Sequence, residues 1–318
     1  MVLGKFMPPH AGHVYLCEFA RRWADELTIV VGTLRSEPIP GVLRFAWMRE
    51  LFPHDRVIHL TDENPQDPSE HPAFWSIWRA SLERVLPHRP DVVFASEAYG
   101  EKLAEVLGAR FVAVDPARSI VPVSGSAVRA HPRRHWEHIP RCVRPYFVRR
   151  ASIVGPESTG KTTLARRLAA RFATVWVPEW ARAVLERRGG SLDGLDWMDI
   201  VRGQIASEEA LARNAVRVLF CDTDPIVTPL WAEALLGACP EALRVAASGR
   251  AYDVTFLCDA DVPWMADDVR YLPGGGAAFF ARCEEALRRE GRKVVVLRGS
   301  WAEREEAAAR AIEALVEA

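Results

Sequence analysis

Lysine is scarce in this chain. It stands only at positions 5, 102, 161 and 293, so four of the 41 basic residues are lysine and 37 are arginine. Histidine is missing after residue 138, where the last of nine falls. Net charge is almost missing too, at -1. No global field therefore draws in DNA, RNA or an anionic membrane, and neither nucleic acid nor membrane is expected as a partner. No apolar run approaches the ~20 residues that span a bilayer. No basic region followed by an apolar stretch and a small-residue cleavage site opens the chain. The six cysteines, at 17, 142, 221, 239, 258 and 283, form no C-x-x-C pair. They read as reduced, mostly buried thiols of a cytoplasmic protein. No repeat of solenoid period is present.

What is present suffices for two cores: 318 residues, 49% of them hydrophobic. The histidine step coincides with HPRRHWEHIPRCVRPYFVRR (131–150), a basic, aromatic, Pro-containing connector. Its histidines lack the setting of a metal site and read as domain contact or solvated charge. A boundary near 148 gives domains 1–148 and 149–318. In the first, the apolar runs VLGKF, LTIVVG, RVIHL, DVVFAS and RFVAV alternate with HVYLCEFARRWAD and AFWSIWRASLERVL, whose apolar residues keep helical spacing. In the second, ASIV, TVWV, VRVLFCD, YDVTFLCD and KVVVL alternate with helices. Strand, helix, strand, repeated, predicts an α/β fold in which each domain is a parallel sheet flanked by helices.

GKFMPPHAGH (4–13) leaves the first strand at the end where doubly wound sheets bind ligands. Gly4 permits close backbone approach, and Pro8 and Pro9 stiffen the turn. His10 and His13 project near a helix start at Gly12 or His13, where free N–H groups favour an anion. Zinc would need further ligands, and no partner motif supplies them. The pattern G-x-F-x-P-x-H-x-G-H, with Gly4, Lys5 and Phe6 at its head, resembles the signature of the nucleotidyltransferase superfamily of adenylyltransferases. VSGSAVR (123–129) resembles that superfamily's second signature, through Ser124, Ser126 and Arg129. Ser126 can also cap a helix, and Arg129 presents a fork of donors.

GPESTGKT (155–162) fits G-x-x-x-x-G-K-[ST] between the strand ASIV and the helix KTTLARRLAARF. Gly155, Glu157, Ser158, Thr159, Gly160, Lys161, Thr162 and Thr163 are expected to form a phosphate cradle for ATP or GTP. Lys161 reaches the outer phosphates, and Thr162 ligates Mg2+. VLFCDTD ends in Asp222, suited to magnesium through water, and Asp224, which could face an acceptor hydroxyl. One of the two reads equally as a turn residue. Glu179 and Arg182 follow the second strand, where acceptor groups or a solvated helix start would lie. DADVPWMADDVRYLPGGG (259–276) has a lid's composition, with Arg270 able to close on phosphates. Trp264 there could stack on a planar cationic ring or simply pack.

A His-motif adenylyltransferase joined to a small P-loop kinase resembles the bifunctional NadR-type proteins of NAD metabolism. LRFAWMRELF (43–52), VDPARSIVPVSGSAVR (114–129), WEHIPRCVRPYF (136–147), CDTDPIVT (221–228) and VPWMADDVRYL (262–272) carry the likeness across nearly the whole chain. The resemblance implies that the kinase converts nicotinamide riboside to nicotinamide mononucleotide (NMN). The transferase then joins NMN to the AMP part of ATP, giving NAD and pyrophosphate. It implies that His10 and His13 hold ATP phosphates, with Lys5, Ser126 and Arg129 on the triphosphate. Ser96, Asp115 and Arg118 are expected near the adenosine. Trp75 or Trp78 is expected on the nicotinamide ring or, equally, in the core; Arg44 and Trp47 are weaker substrate candidates. The chain opens on the first motif with no helix-turn-helix before it, so no repressor function is expected. A homo-oligomer is compatible with the sequence. Two rivals remain: a flavin- or pantetheine-directed fusion, against which the P-loop counts, and a nucleotide-responsive regulator with only the kinase half active.

Overall fold

Short Val-, Ile- and Phe-rich runs become strands of two separate sheets in the computed structural model, which describes residues 1–189, 192, 194–262 and 274–317. The chain divides into two compact units, Met1–Val143 and Arg144–Ala318. Each is an all-parallel five-stranded sheet with helices on both faces.

The first unit runs β1 (Val2–Gly4), α1 (Ala11–Trp23), β2 (Thr28–Gly32), α2 (Gly41–Leu51), β3 (Arg56–Leu60), α3 (Phe74–Val85), β4 (Val92–Ala95), α4 (Tyr99–Leu107), β5 (Arg110–Ala113) and α5 (Gly125–Ala130). Its strand order is β3-β2-β1-β4-β5. The chain walks outward from β1 and returns to β1's other edge at β4, which creates a switch point beyond the end of β1. Side chains alternate across the sheet. Ile29 and Val31 pack with Leu16, Cys17 and Ala20 of α1 and Met48 of α2. Val30 points the other way, onto Leu82 of α3 and Leu103 and Leu107 of α4.

The second unit runs α6 (Arg144–Phe147), β6 (Arg149–Val154), α7 (Lys161–Arg171), β7 (Trp176–Val177), α8 (Trp180–Arg187), α9 (Gly194–Ala212), β8 (Val218–Asp222), α10 (Val227–Leu236), α11 (Glu241–Ala247), β9 (Val254–Cys258), α12 (Gly276–Arg289), β10 (Val294–Leu297) and α13 (Trp301–Glu317). Strand order is β10-β9-β6-β8-β7, so β6 is central and the loop after it lies between the ends of β8 and β9. One face packs on α7 and α13 through Leu168, Ala308 and Ile312. The other packs on α10 and α12 through Leu230, Phe279 and Leu287. All six cysteines are free, five buried and Cys239 partly exposed. Among the described residues, no helix is long and apolar enough to cross a membrane.

Candidate active sites

In the first unit a cavity of about 690 Å³ opens beyond the end of β1. It is lined by Gly4, Lys5, Phe6, His10, His13, Trp75, Trp78, Ser96, Asp115, Arg118, Ser124, Ser126 and Arg129. The two signatures, more than a hundred residues apart, meet at one atom. Arg129 Nη1 donates to the Met7 carbonyl oxygen. A Cβ added at Gly125 would lie 2.9 Å from that same oxygen, so only glycine lets α5 seat there.

His10 is the N-cap of α1, and its Nδ1 accepts the Gly12 N–H at 3.1 Å. That bond puts the proton of the neutral imidazole on Nε2. The His10 and His13 ring centroids are 3.8 Å apart. Burial, reinforced by the Arg118 charge, pushes His10 down to about 4. Burial, with His10 beside it, holds His13 well below its usual value. Both rings are therefore neutral at pH 7. Each can donate one hydrogen bond without bringing a charge of its own.

Other residues are more committed than their sequence suggested. The Asp115 carboxylate accepts the N–H groups of Ser119, Ile120 and Val121 and so organises its loop. Arg118 pairs with Glu97 at 3.0 Å. The cap of α5 is Ser124, whose Oγ accepts from the Ala127 N–H at 3.2 Å; Ser126 lies inside the helix with its hydroxyl 3.3 Å from Arg129 Nη2. Trp75 and Trp78 line the cavity and also pack on the core, and the Trp78 indole N–H donates to the Pro65 carbonyl at 2.8 Å. Arg44 does not reach the cavity. It is fully buried, donates to the Lys5 carbonyl at 2.8 Å and pairs with Glu37 at 2.5 Å. Glu37 also holds Lys5 Nζ at 3.1 Å. Nothing in the loop sequence around Glu37 announces that role.

In the second unit a cavity of about 470 Å³ lies at the start of α7. Gly155, Glu157, Ser158, Gly160, Lys161, Thr162, Thr163, Glu179 and Arg182 line it. Thr159 stays buried beneath the loop, donating to the Pro156 carbonyl at 2.8 Å. Thr162 Oγ1 donates to Asp222 Oδ2 at 2.5 Å, while Oδ1 is buried without a hydrogen-bond partner. Burial, then the neighbouring Glu179 carboxylate, pushes Asp222 up to about 7. Asp224 is also pushed up to about 7 by burial, but it faces elsewhere. Its carboxylate pairs with Arg292 at 3.2 Å and accepts the Ile226 N–H at 3.0 Å. Asp224 is thus the turn residue of the pair, and Thr223 between them lines the cavity.

Arg292 also stacks over Tyr252, whose hydroxyl donates to Glu208 at 2.6 Å. Glu208 is fully buried on α9 and meets Arg250 at 2.8 Å. The same helix carries Trp197, Ile200 and Gln204 to the cavity wall. These residues, with Trp231 and Trp301, escaped the sequence reading because tryptophans at helical spacing look the same whether they face core or cleft. Trp264 and Arg270 lie outside the described residues.

Two parallel α/β units, one with a complete phosphate loop and its strand-end carboxylate, define a P-loop nucleotide-binding protein. Residues 150–304 match a family model described as an AAA domain. Over 294 residues the chain is 31% identical to the "Trifunctional NAD biosynthesis/regulator protein NadR" of Escherichia coli (strain K12), covering 86% of this chain and 71% of that one. Over 293 residues it is 30% identical to the protein of the same name from Salmonella typhimurium (strain LT2), covering the same shares. The chain belongs to the NadR family. Its fold is shared with a crystal structure of NadR in complex with NR, at TM-score 0.82, 22% identity and coverage of 100% of this chain and 96% of that one. It is shared too with NadR in complex with NAD and AMP-PNP, at TM-score 0.77, 23% identity and coverage of 100% and 95%.

Proposed function

We propose that the chain makes NAD in two ATP-dependent steps, one in each domain. Residues 149–318 phosphorylate nicotinamide riboside to NMN. Residues 1–148 form a Rossmann-like nucleotidyltransferase domain that joins NMN to the AMP part of ATP and releases pyrophosphate. The observation that carries this reading is one chain holding two cavities, each built on its own phosphate-binding motif. The printed names and ligands of its relatives point to the same chemistry.

In the kinase cavity, Lys161 and the loop N–H groups take the outer phosphates of ATP. Magnesium fits this site: Asp222 Oδ1 is buried and unsatisfied, and the Thr162 hydroxyl adjoins its other oxygen. Thr162 and Asp222 would hold the ion, which would supply positive charge to stabilise the phosphates during transfer. Glu179 and Arg182 face the acceptor side, where Glu179 orients the attacking hydroxyl. Asp224 acts through the turn, fixing Thr223.

In the transferase cavity no covalent intermediate is needed. The NMN phosphate attacks the α-phosphorus of ATP in line, and pyrophosphate leaves. The neutral His10, through Nε2–H, and His13 donate to phosphate oxygens as charge builds there. Lys5, Ser126 and Arg129 hold the triphosphate, Ser96 and Arg118 the adenosine side, and Trp75 or Trp78 the nicotinamide ring. Glu37 and Arg44 set the position of Lys5.

Incubating the protein with magnesium, ATP and nicotinamide riboside, and resolving products by chromatography, tests both halves. NMN should appear first and NAD after it. No product from either substrate would reject the reading.

A further inference from the structure

We propose that Trp301, at the first turn of α13, is the stacking platform for the purine base of the nucleoside triphosphate held by the P-loop. The inference rests on the kinase-half reading only in that the loop must bind such a nucleotide. It is independent of the phosphate acceptor.

Trp301 is a large flat ring that the fold leaves 48% exposed. It lines the phosphate-loop cavity, and also a small adjoining cleft with Thr163, Leu164, Arg167 and Glu305. A Cβ added at Gly160, where φ is 80°, would lie 2.1 Å from the indole. Only glycine lets the ring rest directly on the residue before Lys161. The ring is also propped from its own helix. The Arg304 guanidinium sits 5.6 Å from its centroid. Arg304 is 1% exposed, donates to the Gly299 carbonyl at 3.0 Å and pairs with Asp261. In the adjoining cleft, Arg167 of α7 is tied to Glu305 of the same helix as Trp301 at 3.1 Å.

The result is an exposed aromatic beside the phosphate cradle, with the Arg167 guanidinium among the residues that line the adjoining cleft. A purine held above the phosphate loop would meet the exposed indole face, which lines the same cavity as Lys161. The loop N–H groups and Lys161 are blind to the base. The aromatic therefore supplies what distinguishes a nucleotide from bare polyphosphate, because stacking engages the face of the base and not its charge.

Calorimetry on the full-length chain separates these contributions. Magnesium-AMP-PNP and magnesium-tripolyphosphate are titrated into wild type, Trp301→Ala and Trp301→Phe. Lys161→Ala identifies which isotherm belongs to the P-loop. Trp301→Ala should weaken AMP-PNP at that site by about 10-fold or more, the loss of one stacked base. Tripolyphosphate should change less than about twofold, and Trp301→Phe should recover most of the loss. Equal weakening of both ligands would overturn the proposal, since Trp301 would then only brace the loop. Unchanged AMP-PNP binding would overturn it by placing the base elsewhere. Absence of any Lys161-dependent AMP-PNP site in wild type would overturn both this proposal and the nucleotide-binding reading beneath it.

Discussion

At the level of single residues, the proposed activities separate cleanly. Lys161→Ala removes the point charge from the phosphate loop and should abolish NMN formation from nicotinamide riboside. Adenylyl transfer from supplied NMN should continue; retained kinase turnover would sink the assignment. His13→Ala should slow adenylyl transfer by a factor of order 10² or more, as for a lost transition-state donor, with NMN formation intact. Asp222 gives a pH signature. Its folded pKa of about 7 is raised above its ordinary value of 3.8. The native state therefore holds a proton that the unfolded chain has lost, and this group's contribution to stability declines as pH rises from about 4 to about 7. Magnesium-nucleotide needs the carboxylate. Binding at the P-loop should thus tighten between pH 6 and 8 with proton release, measured by calorimetry in two buffers of different ionisation enthalpy. Asp222→Asn should remove that pH dependence.

At the level of elements, the decisive contact is α5 on the loop after β1. Gly125→Val would drive a side chain into the Met7 carbonyl and push the second signature off the first. Adenylyl transfer should fall at least tenfold, with kinase turnover unchanged as the internal control. Steady-state rates of the two half-reactions check this. Helix α9 is held differently, by a buried charge. Truncating Glu208 to Ala removes the buried carboxylate that Arg250 and Tyr252 share, while Glu209 still pairs with Arg250 at 2.8 Å, and should destabilise the second unit by roughly 1–3 kcal/mol in urea denaturation. Elements were also where sequence reading worked best. The apolar runs announced every strand, and the two glycine-bearing signatures announced which strand ends carry cavities. Which side chains pair with which was not legible. Arg44 sits among apolar residues, yet Glu37 of the preceding loop pairs with it, and it does not line the cavity. Asp224 looks as available as Asp222 in CDTDP, but Arg292, 68 positions later, claims it. Ser124 and Ser126 are equally plausible caps by type, and only the backbone at Ser124, with φ −125° and ψ 156°, decides for Ser124.

For the molecule as a whole, the two proposed half-reactions on one chain predict complementation. Lys161→Ala lacks the first step and His13→Ala the second. Mixed with nicotinamide riboside, ATP and magnesium, they should make NAD much faster than either makes it alone, because NMN released by one can bind the other. Chromatography of the mixture reads this directly. No NAD from the mixture, with each half-reaction confirmed separately, would mean that NMN does not pass through solution.

The strand order also dictates how the chain can be built during synthesis. In the first unit, β1 meets its neighbour β2 within about thirty residues, and β4 closes its other edge by residue 95. In the second unit, β6 ends at residue 154, yet its two partners are β8 (Val218–Asp222) and β9 (Val254–Cys258). The phosphate-loop strand therefore emerges from the ribosome long before either of its edges can be covered. Non-local parallel pairing of this kind is slow and leaves apolar strand edges open to other chains meanwhile. The nascent second unit should therefore be more aggregation-prone than the first, and truncation before residue 254 should yield aggregate rather than a smaller folded domain.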